Sequence, residues 1–342
     1  MLARHLTTRL RAALEDTPVV LIHGARQVGK TTLASAIGGP ERQTYSLDRT
    51  PILEAARSDP DGFVDGLPKS VFLDEVQRAP GLFQAIKHAV DRDRTPGRFL
   101  LSGSTNVMAL PRLSESLAGR MEVCSLWPLS QAEIEGRAGR FVDGVFAPEF
   151  LSGAKVGGPP GDGPDVIDRV LRGGFPEAVR RHAPDRRIAW FESYMDTILF
   201  RDVRDLSNIV KINEMPRLLR LMSARTSGLL NFADMANGLG MSQTTLKRYF
   251  ALLEALFLVR TIPAWSSNLS SRLTKSPKVH ILDSGLAASL LGIDRDRLES
   301  DSTTRGALVE SFVVMDILRL ASTSDLRPRV HHFRTSNGKE VD

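Results

Sequence analysis

Short strand-like runs alternate with helix-spaced apolar positions over the first third of the chain. The runs are Val19 to Ile22, Gln43 to Leu47, Val71 to Leu73, Phe99 to Leu101 and Met121 to Leu126, bounded by Gly, Pro or charged residues. That is the pattern of buried strands. Between them apolar residues return every three or four positions: Leu2, Leu6, Leu10 and Leu14; then Thr31 to Ile37; Thr50 to Ala56 with Pro51 in its first turn; and Leu82 to Val90. Asp59-Pro60-Asp61-Gly62 reads as a turn. The alternation predicts an α/β fold, a five-stranded parallel sheet with helices on both faces.

After Leu129 the pattern turns helical. Ser130 stands three before Glu133, a capping-box spacing. Gly153 to Gly163 is a Gly/Pro-rich loop. Helices are expected at 166–171, 188–206 and 215–226, with a turn at Gly173-Gly174-Phe175-Pro176-Glu177. Asn231 then caps a short helix, Gly238-Leu239-Gly240 turns, and Ser242 caps a second helix running to Leu256. Small Ala236 at the crossing and Leu239 in the turn complete a helix-turn-helix pattern, and 258–264 can begin a β-wing. A strand at 279–283, helices at 284–291 and 306–320, a strand at 330–333 and an Asn337-Gly338 hairpin signal follow. The expected division is 1–130, 131–214, 215–270 and 271–342.

The candidate chemistry lies at the ends of the strands. Gly24 and Gly29-Lys30-Thr31 after the first strand form G-x-x-x-x-G-K-[ST], the phosphate-binding loop, in its required strand-to-helix setting. The glycines allow a tight turn whose backbone N–H groups, with those of Gln27, Val28 and Thr32, converge on phosphate oxygens. Lys30 reaches the β- and γ-phosphates, and Thr31 offers its hydroxyl to Mg²⁺. The following helix aims its positive end at the same point. Asp74-Glu75 ends the third strand, expected beside the first. There Asp74 joins the Mg²⁺ shell and Glu75 polarises a water toward the γ-phosphate. Ser102, Ser104 and Asn106 end the next strand and are candidates to sense the γ-phosphate. A strand between the phosphate-loop and Asp-Glu strands, and a polar-ended strand after them, point to the additional-strand branch of P-loop ATPases. On the second helix of the helix-turn-helix, Gln243, Thr244, Lys247 and Arg248 face outward. Lys247 and Arg248 suit phosphates; Gln243 and Thr244 suit base edges. Such a module also serves for packing or oligomerisation, and both readings stand.

Composition narrows the classes. The chain has 342 residues, 42% apolar and 25% charged, ordinary for a globular protein. No apolar run approaches a membrane span, and no signal-peptide core is present at the N-terminus. One cysteine, Cys124, excludes an internal disulfide framework and fits a cytoplasmic setting. A formal charge of +5 permits contact with nucleic acid but decides nothing alone. The seven histidines are scattered, and His331-His332 reads as a solvated pair on a strand.

Together the motifs resemble prokaryotic AAA-superfamily ATPases of the archaeal-type group. The matching stretches are 24–32, Phe72 to Gln77, Leu101-Ser102-Gly103-Ser104, Leu117-Ala118-Gly119-Arg120, Pro128-Leu129-Ser130, 173–177, Asp283-Ser284-Gly285-Leu286, and Phe333-Arg334-Thr335 with 338–342. The resemblance implies an ATPase core over 1–130, a helical lid, a winged helix, and a C-terminal part similar to restriction-endonuclease folds. It implies ATP and Mg²⁺ as ligands and slow hydrolysis. It makes Arg120 a candidate to stabilise γ-phosphate charge, in cis or from a neighbour in a homo-oligomer. Apart from the resemblance, Arg201-Asp202-Val203-Arg204-Asp205 reads as a solvated, self-paired helix face, the alternative being that Arg201 or Arg204 contacts a neighbouring subunit's nucleotide. The choice of adenine rests on the resemblance, since no guanine-recognition stretch of the Asn/Thr-Lys-x-Asp type appears. A nuclease-like fold would use Glu310, Asp342 and a further Glu-x-Lys. The chain stops at Asp342, so that part is truncated or vestigial and no nuclease activity is expected. Three functions compete. One is an ATP-driven switch that repositions the winged helix on duplex DNA or a protein. Another is a nucleotide-gated regulatory or defence/toxin–antitoxin protein with negligible turnover. The third is a ring-forming chaperone or helicase-loader ATPase.

Overall fold

The computed structural model of the chain describes residues 2–39, 41–106, 117–151, 165–199, 214–268, 275–335 and 339–341. They form two compact units, Met1–Trp127 and Pro128–Asp342.

Unit 1 is built on five parallel strands: β1 (Val19–His23), β2 (Gln43–Ser46), β3 (Val71–Asp74), β4 (Phe99–Gly103) and β5 (Met121–Ser125). Their order across the sheet is β2-β3-β4-β1-β5. The third strand therefore does not lie beside the first, as expected from sequence. β4 intervenes, pairing Leu21 with Leu101 on one side and Leu73 with Leu101 on the other. Every residue of β1, β3 and β4 is buried, while edge strand β2 is partly exposed. This is why the central strands read as continuous apolar runs rather than alternating ones. Flanking helices are α1 (Leu6–Asp16), α2 (Lys30–Gly38), α3 (Thr50–Ser58), α4 (Pro60–Asp65) and α5 (Leu82–Arg92). α1 buries Leu6, Leu10 and Ala13, and Leu2 lies ahead of it. The expected turn at 59–62 is instead the start of α4. Asp59 accepts a hydrogen bond from Gly62 N at 2.9 Å, and Pro60 occupies the first helical position. The same residue types serve turns and helix starts alike.

Unit 2 is mainly helical, and its central contact joins stretches far apart in sequence. The side chain of Asp283 accepts from Leu286 N, capping the helix Ser284–Leu291, and from Gly174 N at 2.7 Å. Arg319, on the helix Ser302–Ala321, donates to Leu129 O and Leu282 O, both at 3.0 Å, and lies 3.4 Å from Asp283 Oδ2. The approach is close enough to demand glycine. A Cβ on Gly174 would stand 2.3 Å from Leu129 O, and one on Gly173 2.0 Å from Asp283 Oδ1.

In the same unit the helix Met215–Ala224 is followed by a bridge between Leu229 and Lys278, then the helices Phe232–Leu239 and Gln243–Ala255. Asn231 and Ser242 cap these last two through their side chains, and Gly240 between them is left-handed. β6 (Val259–Ile262) then pairs antiparallel with β7 (Lys278–Ile281), across the position where sequence placed a boundary at 270/271. The strand expected at 330–333 is displaced, sharing only Phe333 with β8 (Phe333–Arg334), which pairs antiparallel with β9 (Glu340–Val341). The Asn337-Gly338 turn signal lies outside the described residues.

His280 on β7 is 1% exposed, and burial, with Lys278 and His332 adding, pushes its pKa down to about 4. The folded chain thus holds the imidazole neutral where the unfolded chain protonates near 6.5, so stability is present above that pH and falls as pH drops toward 4. The loss between pH 7.5 and 5 should be about 2 kcal/mol. Urea unfolding followed by tryptophan fluorescence checks this, with the loss reduced by that amount in His280→Gln. An equal loss in both proteins contradicts it.

Candidate functional site

The chain leaves β1 at His23 and reaches α2 through the loop Gly24 to Gly29. Gly24 has φ +155, and a Cβ there would fall 2.1 Å from Leu126 O, so the backbone can pass β5 only as glycine. Gly29, at φ +96, turns the chain into α2. Gln27 is also left-handed, φ +60, and exposed. Val28 is buried, and its carbonyl accepts from Arg4 Nη1 at 2.7 Å, while Arg4 Nη2 donates to Trp127 O at 2.6 Å. Arg4 thereby fastens the loop to the end of β5. Lys30 is 5% exposed, and its ammonium donates to Gly24 O (3.0 Å) and Ala25 O (2.9 Å). The charge is thus held inside the loop by neutral carbonyls. Thr31 and Thr32 are exposed in the first turn of α2.

The two carboxylates meet this loop at the carboxyl edge of the sheet. Thr31 Oγ1 donates to Asp74 Oδ2 at 3.0 Å, and Ser102, at the end of β4, donates to Asp74 Oδ1. Burial raises the Asp74 pKa, Glu75 adding to it, against the lowering by the Ser102 and Thr31 hydroxyls and Lys30. Glu75 takes φ +59, a left-handed conformation uncommon outside glycine and costing on the order of 1 kcal/mol. The turn carries its carboxylate back across the end of β4. There Oε2 accepts from Ser104 Oγ at 2.9 Å and from the Gln77 amide, which also donates to Ser104 Oγ at 2.9 Å. Burial pushes the Glu75 pKa up, but Lys30, Gln77, Ser104 and Arg26 outweigh it and leave it lowered. The Glu75 side chain is therefore an anion at neutral pH. Two oxygens, from Thr31 and Asp74, stand together where a small hard cation would need them. Mg²⁺ commonly takes few protein oxygens and fills its shell with water and phosphate. The pair fits that ion.

Of the residues expected from sequence, Gly24, Gln27, Val28, Gly29, Lys30, Thr31, Thr32, Asp74, Glu75 and Ser104 come together. Ser102 joins them through Asp74. Asn106 lies just beyond, its Oδ1 buried without a partner among the described residues. Arg120 does not join them. β5 runs parallel to β1 with Met121 opposite Val19, so Arg120 sits at the amino edge, about 17 Å from the loop edge at ~3.3 Å per residue. There its Nε donates to Asp91 Oδ1 at 2.6 Å. A role in cis is thereby removed. Arg201, Arg204 and Asp342 lie outside the described residues. Glu310 accepts from buried Lys278 at 2.6 Å, and Glu340 contacts the same ammonium. Gln243, Thr244, Lys247 and Arg248 are all exposed on one face of their helix. Two residues escaped the sequence reading. Gln77 carried a faint signal, standing two after Glu75; Arg4 carried none.

Residues 16–135 match the family described as "AAA domain", and residues 163–297 match a "Domain of unknown function (DUF8612)". Two curated relatives, "Uncharacterized protein Rv2008c" of Mycobacterium tuberculosis and "Uncharacterized protein Mb2031c" of Mycobacterium bovis, are each 32% identical over 341 residues. Those residues are 99% of this chain and 70% of the relative. Among solved structures, the Walker-type ATPase PABY2304 of Pyrococcus abyssi is similar at TM-score 0.49 and 14% identity, over 85% of this chain and 96% of that one. A RuvB of Thermotoga maritima is similar at 0.35 and 18%, over 75% and 89%. Both likenesses are too loose to place a residue or a role. Unit 1 is a P-loop ATPase-type domain on its own sheet order, loop and AAA match.

Gly24→Ala tests the loop geometry. The clash with Leu126 O should lower stability by more than about 2 kcal/mol and abolish nucleotide binding. Thermal unfolding and fluorescent-nucleotide titration check this; near-native values in both would contradict it.

Proposed function

We propose that this chain, which belongs to the family of the mycobacterial proteins Rv2008c and Mb2031c, binds ATP with Mg²⁺ at the Gly24–Thr31 loop and hydrolyses it. The observation that carries this is the pair of carboxylates with separate surroundings. Asp74 faces the Thr31 hydroxyl and is tied to Ser102, whereas Glu75 is kept anionic beside Ser104 and Gln77.

In this reading the loop N–H groups and Lys30 take the phosphates, the ammonium leaving the carbonyls of Gly24 and Ala25 for a stronger acceptor. Thr31 and Asp74 would hold Mg²⁺, which when bound neutralises phosphate charge. Glu75 accepts a proton from the attacking water as that oxygen bonds to the γ-phosphorus; the bond to the bridging oxygen breaks and ADP leaves with it. Ser104 positions Glu75 and stands where the γ-phosphate is sensed. Among the described residues two arginines stand at the loop: Arg26, inside it and close enough to bias Glu75, and Arg4, bonded to Val28 O. In this reading the chain acts as a homo-oligomer in which a further arginine arrives from a neighbour, Arg120 among the candidates.

The nucleotide state then repositions a winged helix in unit 2. Its support is the order helix, bridge at Leu229, two capped helices, and the β6–β7 pair. The exposed set Gln243, Thr244, Lys247 and Arg248 suits duplex DNA. A nucleotide-gated regulator with negligible turnover is the second reading. It draws on the Gln77 amide and the Ser104 hydroxyl, which both donate to Glu75 Oε2.

Steady-state hydrolysis of ATP and GTP with Mg²⁺ tests the first reading. Glu75→Gln should lower ATP turnover by about 10²- to 10⁴-fold. Duplex DNA should raise turnover of the native chain, and the double change Lys247→Ala with Arg248→Ala should flatten the salt dependence of DNA binding by about two counterions. Tight ATP binding with no turnover in either protein selects the regulator. Turnover indifferent to DNA removes DNA as the partner.

A further inference from the structure

Unit 2 contains a cavity of about 560 Å³ between the helices Val166–Arg172, Pro184–Thr197 and Ser284–Leu291, within the size range of small-molecule sites. Its walls include Leu171, Ile188, Phe191 and Ile293, and four arginines line it, Arg172, Arg181, Arg187 and Arg295. The charge balance around it is uneven. Neighbouring arginines are matched: Arg181 with Glu177 at 2.9 Å, Arg169 with Glu135, and Arg295 with Asp165, Asp168 (2.7 Å) and Glu299 (2.9 Å). Arg172 and Arg187 have no ion pair among the described residues. Arg172 donates to the neutral Gln131 Oε1 at 3.1 Å, and Arg187 to the carbonyls of Arg181 (3.1 Å) and His182 (3.4 Å). The Nε of each is buried without a partner. Burial lowers the pKa of both guanidinium groups. The charge of Arg172 lowers that of Arg187 further, and the charge of Arg169 that of Arg172, against smaller opposing effects of Asp168 on both and of Glu135 on Arg172. Two half-buried cations with donors unspent are complementary to an anion. Asp168, Asp294 and Asp296 line the cavity too, but all three are exposed, where water screens them, and Asp168 is engaged by Arg295.

We propose that this cavity binds a small amphipathic anion, with a carboxylate or phosphate head on Arg172 and Arg187 and an apolar body along Leu171, Ile188, Phe191 and Ile293. The neutral partners of Arg172 and Arg187 leave the Nε of each unspent, and the apolar walls exclude a freely hydrated ion as the best ligand. The site is formed wholly within unit 2 and stands independently of the nucleotide reading.

Calorimetric titration of the full chain with decanoate, decyl phosphate and inorganic phosphate tests it, using the native protein, Arg187→Met, Ser289→Phe and Lys30→Ala. Decanoate or decyl phosphate should bind one to one, the better of the two identifying the head group. Binding should weaken about 10- to 100-fold in Arg187→Met, as for loss of a charged hydrogen bond, and comparably in Ser289→Phe, which narrows the cavity. It should be unchanged in Lys30→Ala, which removes any contribution of the phosphate loop. Ser289 makes no side-chain hydrogen bond among the described residues, so its variant carries the test if Arg187→Met does not fold. The proposal is overturned if neither amphiphile binds, if both cavity variants bind as the native chain does, if inorganic phosphate binds as tightly as decyl phosphate, or if Lys30→Ala abolishes binding.

Discussion

The carboxyl edge of the parallel sheet depends on one insertion, β4 between β1 and β3. With β4 in place, Ser102 can hydrogen-bond Asp74 from the adjacent strand end, and Ser104 can reach Glu75 one step further on. Without it, Asp74 would lose the Ser102 hydroxyl and Glu75 the Ser104 hydroxyl that set their surroundings apart. The same position sets their electrostatics. Asp74, deep between strands, is raised by burial, while Glu75, thrown across the edge by its left-handed turn, is lowered by donors and by Lys30. Neighbouring carboxylates driven apart in this way are a mark of divided chemical labour.

Unit 2 rests on a different constraint. Arg319 and Asp283 are both buried, and each satisfies backbone groups from separate stretches, Leu129, Gly174 and Leu282. A buried ion pair is not by itself stabilising, but removing one partner leaves a charge without compensation. The value of this pair is that it fixes which segments meet. Gly173 and Gly174 let the chain come close enough for it to form. Three short motifs with no chemistry of their own in the sequence, around Leu129, Gly174 and Asp283, are thus parts of one junction.

How much of this was legible in sequence depended on whether the signal was local. The phosphate loop, the Asp-Glu strand end and the Ser130 capping box were readable because backbone need and residue type coincide within a few positions. Strand order was only partly readable. The presence of a further strand was evident, yet Asp74 was expected beside β1, because periodicity says that a strand is buried but not between which neighbours. Arg120 looked suited to the phosphate by its place after the polar-ended strand, and only the parallel register puts it at the far edge. Arg4 could not be found at all, since its partners Val28 and Trp127 are 24 and 123 positions away. The pairing of β6 with β7 was hidden in the same way by the long connection between them.

A structure of the chain with Mg²⁺ and a non-hydrolysable ATP analogue bears most directly on the account. The phosphates should lie in the Gly24–Thr31 loop, with Lys30 Nζ moved from the carbonyls of Gly24 and Ala25 to the β- and γ-phosphate oxygens. Thr31 and Asp74 should approach one metal ion, and Glu75 should stand within one water of the γ-phosphorus. A nucleotide bound elsewhere, or Lys30 still on the two carbonyls beside a bound phosphate, would contradict it.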